Sequence, residues 1–478
     1  MSKSASQSAP AARPVDIAQV SRRGALAAFG GVTAATLFAT PSWAVDAQRP
    51  GAPAAPALTA RDRVVVRRVS AARAIEHVVD LSEGIGPRVG GTPAERVAAD
   101  HLAGVLDSYG YEVQLEPFPV ADKHLAELRG SPALDDDICW QAGASPQAAL
   151  DTSVTGTVVD AGDGTGDGDL TGAVALVDTP AGVSAAARTE LVQAAVARGA
   201  AAVLLLPADP ADPIRRAQAA SVALTAAVNV PTVGVATVQK YRLREALARG
   251  PLTLTVGTAA FRGLTSHNVL AERAGRGWPG ALRPALMVCA HYDSVIGAPG
   301  ANDDGSGTAL TLEIARVMRS LPTKADLQFS LWGSEEQGLI GSRYHVSRYD
   351  EAQRDRLLGV YNNDMVATSW DPATRYWVLS FDGSTNLVNS SVIDAAQRLG
   401  YAPQLSPVTT RGASDHQSFQ EVGIASSNFS WRGEESPARL EPPYHSPEDT
   451  VAKNISAERM QVSLELIGAA LYEQARAA

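Results

Sequence analysis

At 478 residues the chain is longer than one hydrophobic core usually serves, which points to about two to three domains. Hydrophobic residues at 45% and charged residues at 19% exclude a mostly disordered chain. A formal charge of -10, with lysine confined to Lys3, Lys123, Lys240, Lys324 and Lys453, argues against nucleic acid or an anionic membrane as a partner. Cys139 and Cys289 are the only cysteines. Two are too few for a zinc ribbon or a disulfide framework, so any metal must be held by His and carboxylates.

Residues 1–44 read as a targeting segment. A polar start leads to Arg22-Arg23, a weakly apolar run follows, and Ser42-Trp43-Ala44 ends it with small residues. The run is too short and too rich in Ala, Gly and Thr to span a membrane comfortably. The arginine pair resembles a twin-arginine export signal. Expectation is therefore cleavage near Ala44 and a secreted or periplasmic protein with no stable membrane association afterwards. Residues 45–60, rich in Pro and Ala, read as a linker.

The stretch from Arg61 to about Pro119 reads as largely helical. Thr92-Pro93-Ala94-Glu95 has the form of a capping box with proline at the first helical position. Ala98, Leu102, Val105, Leu106 and Tyr109 follow at helical spacing, and Gly110 stops the run.

Between about 121 and 261 the charged residues thin out and short β-branched runs alternate with glycine turns. Residues 173–177 and 202–206 read as strands, 190–198 as a helix, and Val230-Pro231-Thr232-Val233 leads to another strand. The Gly-Asp run at 162–169 reads as a surface turn, because one copy cannot stack as a calcium-binding repeat would. From 262 to 478 strands alternate with amphipathic helices. Strands are expected near 285–290, 327–332, 359–362 and 424–429, with a helix over 307–321. Apolar strands between such helices imply an α/β fold: a mostly parallel mixed sheet with helices on both faces.

Just past those strands lie His291 and Asp293, then Asp303 and Asp304 in GANDDGSG, Glu335 and Glu336, Asp364, and His445 in PPYHSPEDT. Taken singly, each has an ordinary reading: a hydrogen-bonded pair, a turn, a helix cap, a loop. Together they could deliver two imidazoles and several carboxylates to one crevice at the carboxyl ends of the strands. Adjacent Glu335 and Glu336 cannot point the same way, which leaves one for a metal and one for a water. Cys289 reads as core, and His267 and His416 as satisfied structural residues; Cys139 has no assigned role.

The ordered stretches HYDSV, GANDDGSGTA, LWGSEEQGLIGSRYH, YNNDM, SDHQSF and YHSPEDT, with PRVGGTPAERVAADHLAGVL upstream, resemble the co-catalytic dizinc exopeptidases of metallopeptidase clan MH. The likeness is to the family of bacterial leucyl aminopeptidases and aminopeptidase Y. GAVALVDT, ARGAAAVLLL and VNVPTVGV resemble the small β-rich protease-associated domain inserted in several such enzymes. The resemblance implies a peptidase domain in two parts, 61–120 and 262–478, around an insert at 121–261. It implies two zinc ions and peptide substrates. His291 and Asp364 would bind one ion, Glu336 and His445 the other, with Asp303 bridging. Glu335 would be the general base, Asp293 would fix the His291 ring, and Tyr444 would help stabilise the oxyanion. It further implies a cis peptide bond after Asp303. Ala413 stands where some members have an arginine that helps hold the substrate's amino end, with Arg411 two residues earlier. The expected activity is that of an aminopeptidase. A carboxypeptidase or dipeptidase of the same clan is the alternative, and a glutaminyl cyclase or a non-catalytic receptor-like homologue a more distant one.

Overall fold

The computed structural model describes residues 57–164, 166–212, 217, 219–276 and 283–477. The expected export signal, and the linker as far as residue 56, lie outside the described residues. The chain begins with α1 (Ala60–Val66), α2 (Ala71–Val79), a single π-helical turn (Asp80–Ile85) and α3 (Pro93–Ser108). It then enters β1 (Glu112–Val120), passes through β2 (Lys123–Ser131), β3 (Gln141–Ala144), β4 (Thr152–Asp160) and β5 (Val174–Asp178), and forms α4 (Ala185–Ala197). β6 (Ala202–Leu206), β7 (Thr232–Gly234), α5 (Thr237–Arg249), β8 (Thr253–Phe261) and β9 (Leu264–Arg273) follow. The remainder is β10 (Ala285–His291), α6 (Gly305–Met318), β11 (Asp326–Trp332), α7 (Ile340–Ser347), α8 (Glu351–Arg356), β12 (Leu357–Asn363), β13 (Arg375–Ser380), α9 (Leu387–Leu399), β14 (Leu405–Thr410), α10 (His416–Gln420), β15 (Ser426–Arg432), α11 (Val451–Asn454) and α12 (Ala457–Ala477).

One eight-stranded sheet runs β1-β9-β11-β10-β12-β15-β13-β14. Its centre, β11-β10-β12-β15, is parallel, while β9 joins β11 and β13 joins β15 antiparallel. Side chains of β10 alternate between two cores. Leu286, Val288 and Ala290 pack with residues of α1, α2, α3, α6, α9 and α12, whereas Ala285, Met287 and Cys289 pack with Trp332, Val346 and Phe419 on the opposite face. That period of two, with both sets apolar, is the mark of a strand covered on both sides.

The other strands close into a barrel, β2-β3-β7-β6-β5-β4-β8. Leu176, Leu204 and Leu206 fill one core, and Val177, Val203 and Leu205 pack beneath α4 in another. The chain leaves the large sheet by β1 and returns by β9, and these two strands pair antiparallel over their full length, Glu112 opposite Glu272 through Val120 opposite Leu264.

Two local expectations need correction. Glu112–Val120 is a strand, not the tail of a helical region. Its prolines, Pro117 and Pro119, are tolerated because β1 is the sheet's edge, where a missing N–H breaks no inner ladder. The capping box at Thr92 does not form. Thr92 makes no side-chain cap bond; its hydroxyl donates instead to Val89 O at 2.7 Å. Glu95 is pulled away by stronger partners described below. Among the described residues, no helix is long and apolar enough to cross a membrane.

Candidate metal centre and catalytic pocket

Because β11, β10, β12 and β15 are parallel, their carboxyl ends open on one edge. β10 ends at His291, with Asp293 two residues on. A short 3-10 turn after β11 carries Glu335 and Glu336. Asp364 follows β12, Asp303 sits before α6, and His445 lies in the loop after β15. All five expected metal-ligating side chains converge there. They form two triads, His291–Asp303–Asp364 and Asp303–Glu336–His445, in which the candidate ligand atoms lie within 4.8 Å of one another.

Asp303 faces both triads, one oxygen to each. Its Oδ1 is 3.3 Å from His291 Nε2 and its Oδ2 is 3.1 Å from His445 Nε2. His445 Nε2 is also 3.1 Å from Glu336 Oε2, and His291 Nε2 is 3.9 Å from Asp364 Oδ1. Glu335 Oε2 stands off at 4.0 Å from His291 Nε2, so neighbouring glutamates do diverge. Glu336 Oε1 and Asp364 Oδ1 are buried with no hydrogen-bond partner. A buried and a part-buried group of borderline nitrogen and hard oxygen donors, with orphaned carboxylate oxygens, suit divalent metal ions of the zinc type.

The electrostatics fit a site built around cations. Burial pushes Glu335 well above the ordinary carboxylate range, and Asp415 and Glu336 add to it against the pull of His291. Burial and then Asp303 raise Glu336 to about 7, and raise Asp364 as well. For His445, burial opposes protonation, but Glu336 and Asp303 outweigh it and lift the ring to about 10. Four largely buried carboxylates face two imidazoles, and the excess negative charge has no protein counterion among these groups.

Asp293 does more than face the His291 ring, from whose Nδ1 its Oδ1 is 3.5 Å away. Its oxygens also accept the backbone N–H groups of Glu335 at 2.9 Å and Glu336 at 3.3 Å. One buried carboxylate therefore sets the histidine and both glutamates. Tyr444 stacks on His445, ring centroids 3.8 Å apart and planes inclined by 19°, and lines the same cavity of about 250 Å³. The Asp303–Asp304 peptide bond is cis, as the resemblance implied.

Four supporting residues have roles that the sequence does not assign; there Glu95 reads as a helix cap, Asp304 as a possible ligand, and Asp449 and Arg88 as motif members only. Asp449 accepts the N–H groups of Asn302 and Asp303, each at 3.0 Å. Asp304 caps α6 by accepting from Gly307 N at 2.9 Å and reaches across to Met365 N at 3.0 Å. Glu95 accepts from Gly91 N at 2.6 Å, the Ser266 hydroxyl at 2.7 Å and Ser334 N at 3.1 Å, thereby holding the start of the glutamate turn. Burial, reinforced by Asp293, raises Glu95 to about 8. Arg88 binds the Tyr292, Pro299 and Gly300 carbonyls of the connection between β10 and α6 that carries Asp293 and Asp303.

Backbone strain collects here as well. Ser334, Leu339, Met365, Ala413 and His445 all have φ between 55° and 65°, an uncommon region for residues with a side chain. His267 and His416 are not drawn into either triad. His267 pairs with Arg96 at 3.0 Å, and the buried His416 ring meets Arg411 O at 2.8 Å. Cys289 is buried, its thiol donating to Asn362 Oδ1 at 3.3 Å.

This fold and this pair of His–carboxylate triads define a metal-dependent exopeptidase, a hydrolase. The model of peptidase family M28 matches residues 268–471. Aminopeptidase YwaD of Bacillus subtilis is 34% identical over 414 residues, 84% of each chain. Among solved structures, BSAP, a zinc aminopeptidase from Bacillus subtilis, superposes with a TM-score of 0.60 at 33% identity, covering 85% of this chain and 95% of that one. An aminopeptidase from Aneurinibacillus sp. strain AM-1 gives 0.54 at 30% identity, with 87% and 96% covered. The chain belongs to peptidase family M28, a zinc-aminopeptidase fold of clan MH.

Proposed function

We propose that the protein is an exported aminopeptidase that removes the amino-terminal residue of peptides with the help of two zinc ions. His291, Asp303 and Asp364 would hold one ion, and Asp303, Glu336 and His445 the other. When bound, the ions polarise the scissile carbonyl and acidify the attacking water. Glu335 takes the proton from that water and returns it to the leaving amine, a role suited to a buried carboxylate with raised proton affinity beside the ligands. Asp293 keeps the His291 ring in one tautomer and fixes the glutamate turn. Tyr444 directs its phenol at the oxygen on which negative charge develops. The observation that carries this reading is Asp303, whose two oxygens face different imidazoles at 3.3 and 3.1 Å.

In this reading residues 1–44 are the twin-arginine-type export signal, and the barrel over 121–261 is a protease-associated insert in a peptidase domain formed by 61–120 and 262–478. A second cavity, of about 590 Å³, supports a role for the insert in substrate access. Gln141, Gln147, Leu224 and Gln239 of the barrel line it together with His445.

Glu335→Gln tests the mechanism. It should keep metal content near two per chain while lowering turnover on an aminoacyl chromogenic substrate by about 10²–10⁴. Loss of a metal ion, or full activity, would mean that the two glutamates have been given the wrong roles.

A further inference from the structure

Two guanidinium groups share the wall of the catalytic cavity, and among the described residues neither forms an ion pair with a carboxylate. Arg411 follows β14 and Arg432 ends β15, and both line the cavity with Met365, Leu440 and Tyr444. Arg432 is buried and tied down: Nε donates to Ser430 Oγ at 3.0 Å and Nη1 to Pro437 O at 2.9 Å. Arg411 differs. Its backbone is pinned, with N–H donating to Ser380 O at 2.8 Å and C=O meeting the His416 ring. Its guanidinium makes no hydrogen bond or ion pair among the described residues, and its Nε is buried without a partner.

Other arginines of similar burial are matched. Arg398 forks onto Asp62, Arg356 binds Glu272 and Asp326, and Arg316 binds Glu313. A buried guanidinium N–H without an acceptor is unfavourable. Burial, and then the like charge of Arg432, both lower the proton affinity of Arg411. Asp364 acts on Arg411 through its field, but it belongs to the His291–Asp303–Asp364 triad, where a bound cation would match its charge. The cavity therefore contains an unmet demand for an anion beside the reacting centre.

We propose that Arg411 and Arg432 form a carboxylate subsite of the substrate pocket, with Arg411 as the group that binds and discriminates. The proposal rests on the aminopeptidase reading and names its substrate class: short peptides that place a carboxylate next to the scissile bond. That carboxylate is either the free α-carboxylate of a dipeptide or an acidic side chain on the amino-terminal residue. A guanidinium fork matches a carboxylate with two parallel hydrogen bonds, which an ammonium cannot do. The cavity of about 250 Å³ lies below the usual range of about 300–1,000 Å³ for small-molecule sites, so a short substrate fills it.

The test is steady-state kinetics of the full-length, zinc-loaded enzyme on two matched pairs. One is Leu-Ala against Leu-Ala-amide; the other is glutamyl against glutaminyl p-nitroanilide. The acid member of one pair should be favoured by about 10–100-fold in kcat/KM, the range of a charge-assisted hydrogen bond, and the responding pair identifies the source of the carboxylate. Arg411→Gln should abolish that preference with metal content retained, and Arg411→Lys should leave an intermediate one. Hydrolysis of all four substrates without preference, or a preference that survives Arg411→Gln, would overturn the subsite alone. Failure of the wild type to cleave these substrates or leucyl p-nitroanilide would overturn the aminopeptidase reading and the subsite with it.

Discussion

Arg88→Met should destabilise the protein and empty its metal site, although Arg88 is a candidate for neither ligand nor catalyst. The side chain is fully buried, and its guanidinium meets five backbone carbonyls. Nε donates to Tyr292 O at 2.7 Å; Nη1 donates to Leu81 O at 3.1 Å, Gly86 O at 3.2 Å and Pro299 O at 2.6 Å; Nη2 donates to Gly300 O at 3.0 Å. Tyr292 precedes Asp293, and Gly300 lies three residues before Asp303, so one arginine ties the connection between β10 and α6, which carries Asp293 and Asp303, to the turn at Leu81 and Gly86. Burial lowers its pKa to about 10 against the pull of Asp293 and Asp449, which leaves it charged at neutral pH. Methionine has similar reach but no donor. It would leave five carbonyls, four of them in buried contacts, without this donor. Each hydrogen bond to a charged group is worth about 1.5–3 kcal/mol, but the total is smaller than five such bonds because the cation's own desolvation disappears with it. Each buried carbonyl left unsatisfied costs about 1–3 kcal/mol, so even after partial relaxation the loss is several kcal/mol, a large share of a typical stability of about 5–15 kcal/mol. Urea unfolding of metal-free protein should show a loss of that size, and metal analysis should show fewer ions retained after gel filtration. Arg88→Lys, with three donors and no fork, should fall between. An Arg88→Met protein with the wild-type midpoint and full metal content would refute the clamp.

Asp303→Ala should lower the content of both metal ions, whereas Asp364→Ala and Glu336→Ala should each mainly weaken one; an Asp303→Ala protein that keeps two ions would refute bridging. Asp62 accepts both Nε and Nη2 of Arg398, at 3.0 and 3.1 Å. Burial raises its pKa, but Arg398 and Thr59 outweigh this and hold it below the ordinary value. A depressed folded pKa stabilises above the unfolded value of about 3.9. Asp62→Asn should therefore cost about 1.5–3 kcal/mol at pH 7, and the gap should close as pH falls through the folded pKa; a gap that is constant down to pH 2 would count against the ion pair. In Gly307→Ala the new Cβ would sit 1.9 Å from Asn363 O and 2.6 Å from both Asp304 carboxylate oxygens. It should destabilise by about 1–3 kcal/mol and reduce metal binding by parting α6 from β12, and unchanged thermal unfolding and metal content would show that this junction yields.

Much of the site was readable from residues alone because strand ends and ligands are local to one another. A six-residue apolar run such as 285–290 is too short for a typical helix and reads as a covered strand, and the residue after a strand is where an α/β sheet presents a side chain. Motif order then named both imidazoles and every carboxylate of the two triads. What the chain could not disclose is how far apart these groups fall. Asp303 and His445 are separated by 142 positions, and only the parallel pairing of β11, β10, β12 and β15 brings Asp303 between His291 and His445. Local pattern misled where a distant partner was stronger. Glu95 has capping-box spacing, but Ser266 and Ser334, brought in from β9 and from the end of β11, take its oxygens instead. Glu112–Val120 carries two prolines and ordinary helix formers, and is a strand because β9 offers its edge. Arg411 reads in the sequence only as an arginine two residues before the place where some members hold the substrate's amino end; that its guanidinium lacks a partner among the described residues is a property of the cavity. Propensity and spacing act over a few residues, whereas charge balance and hydrogen-bond satisfaction are settled by whatever the fold brings within about 3–4 Å.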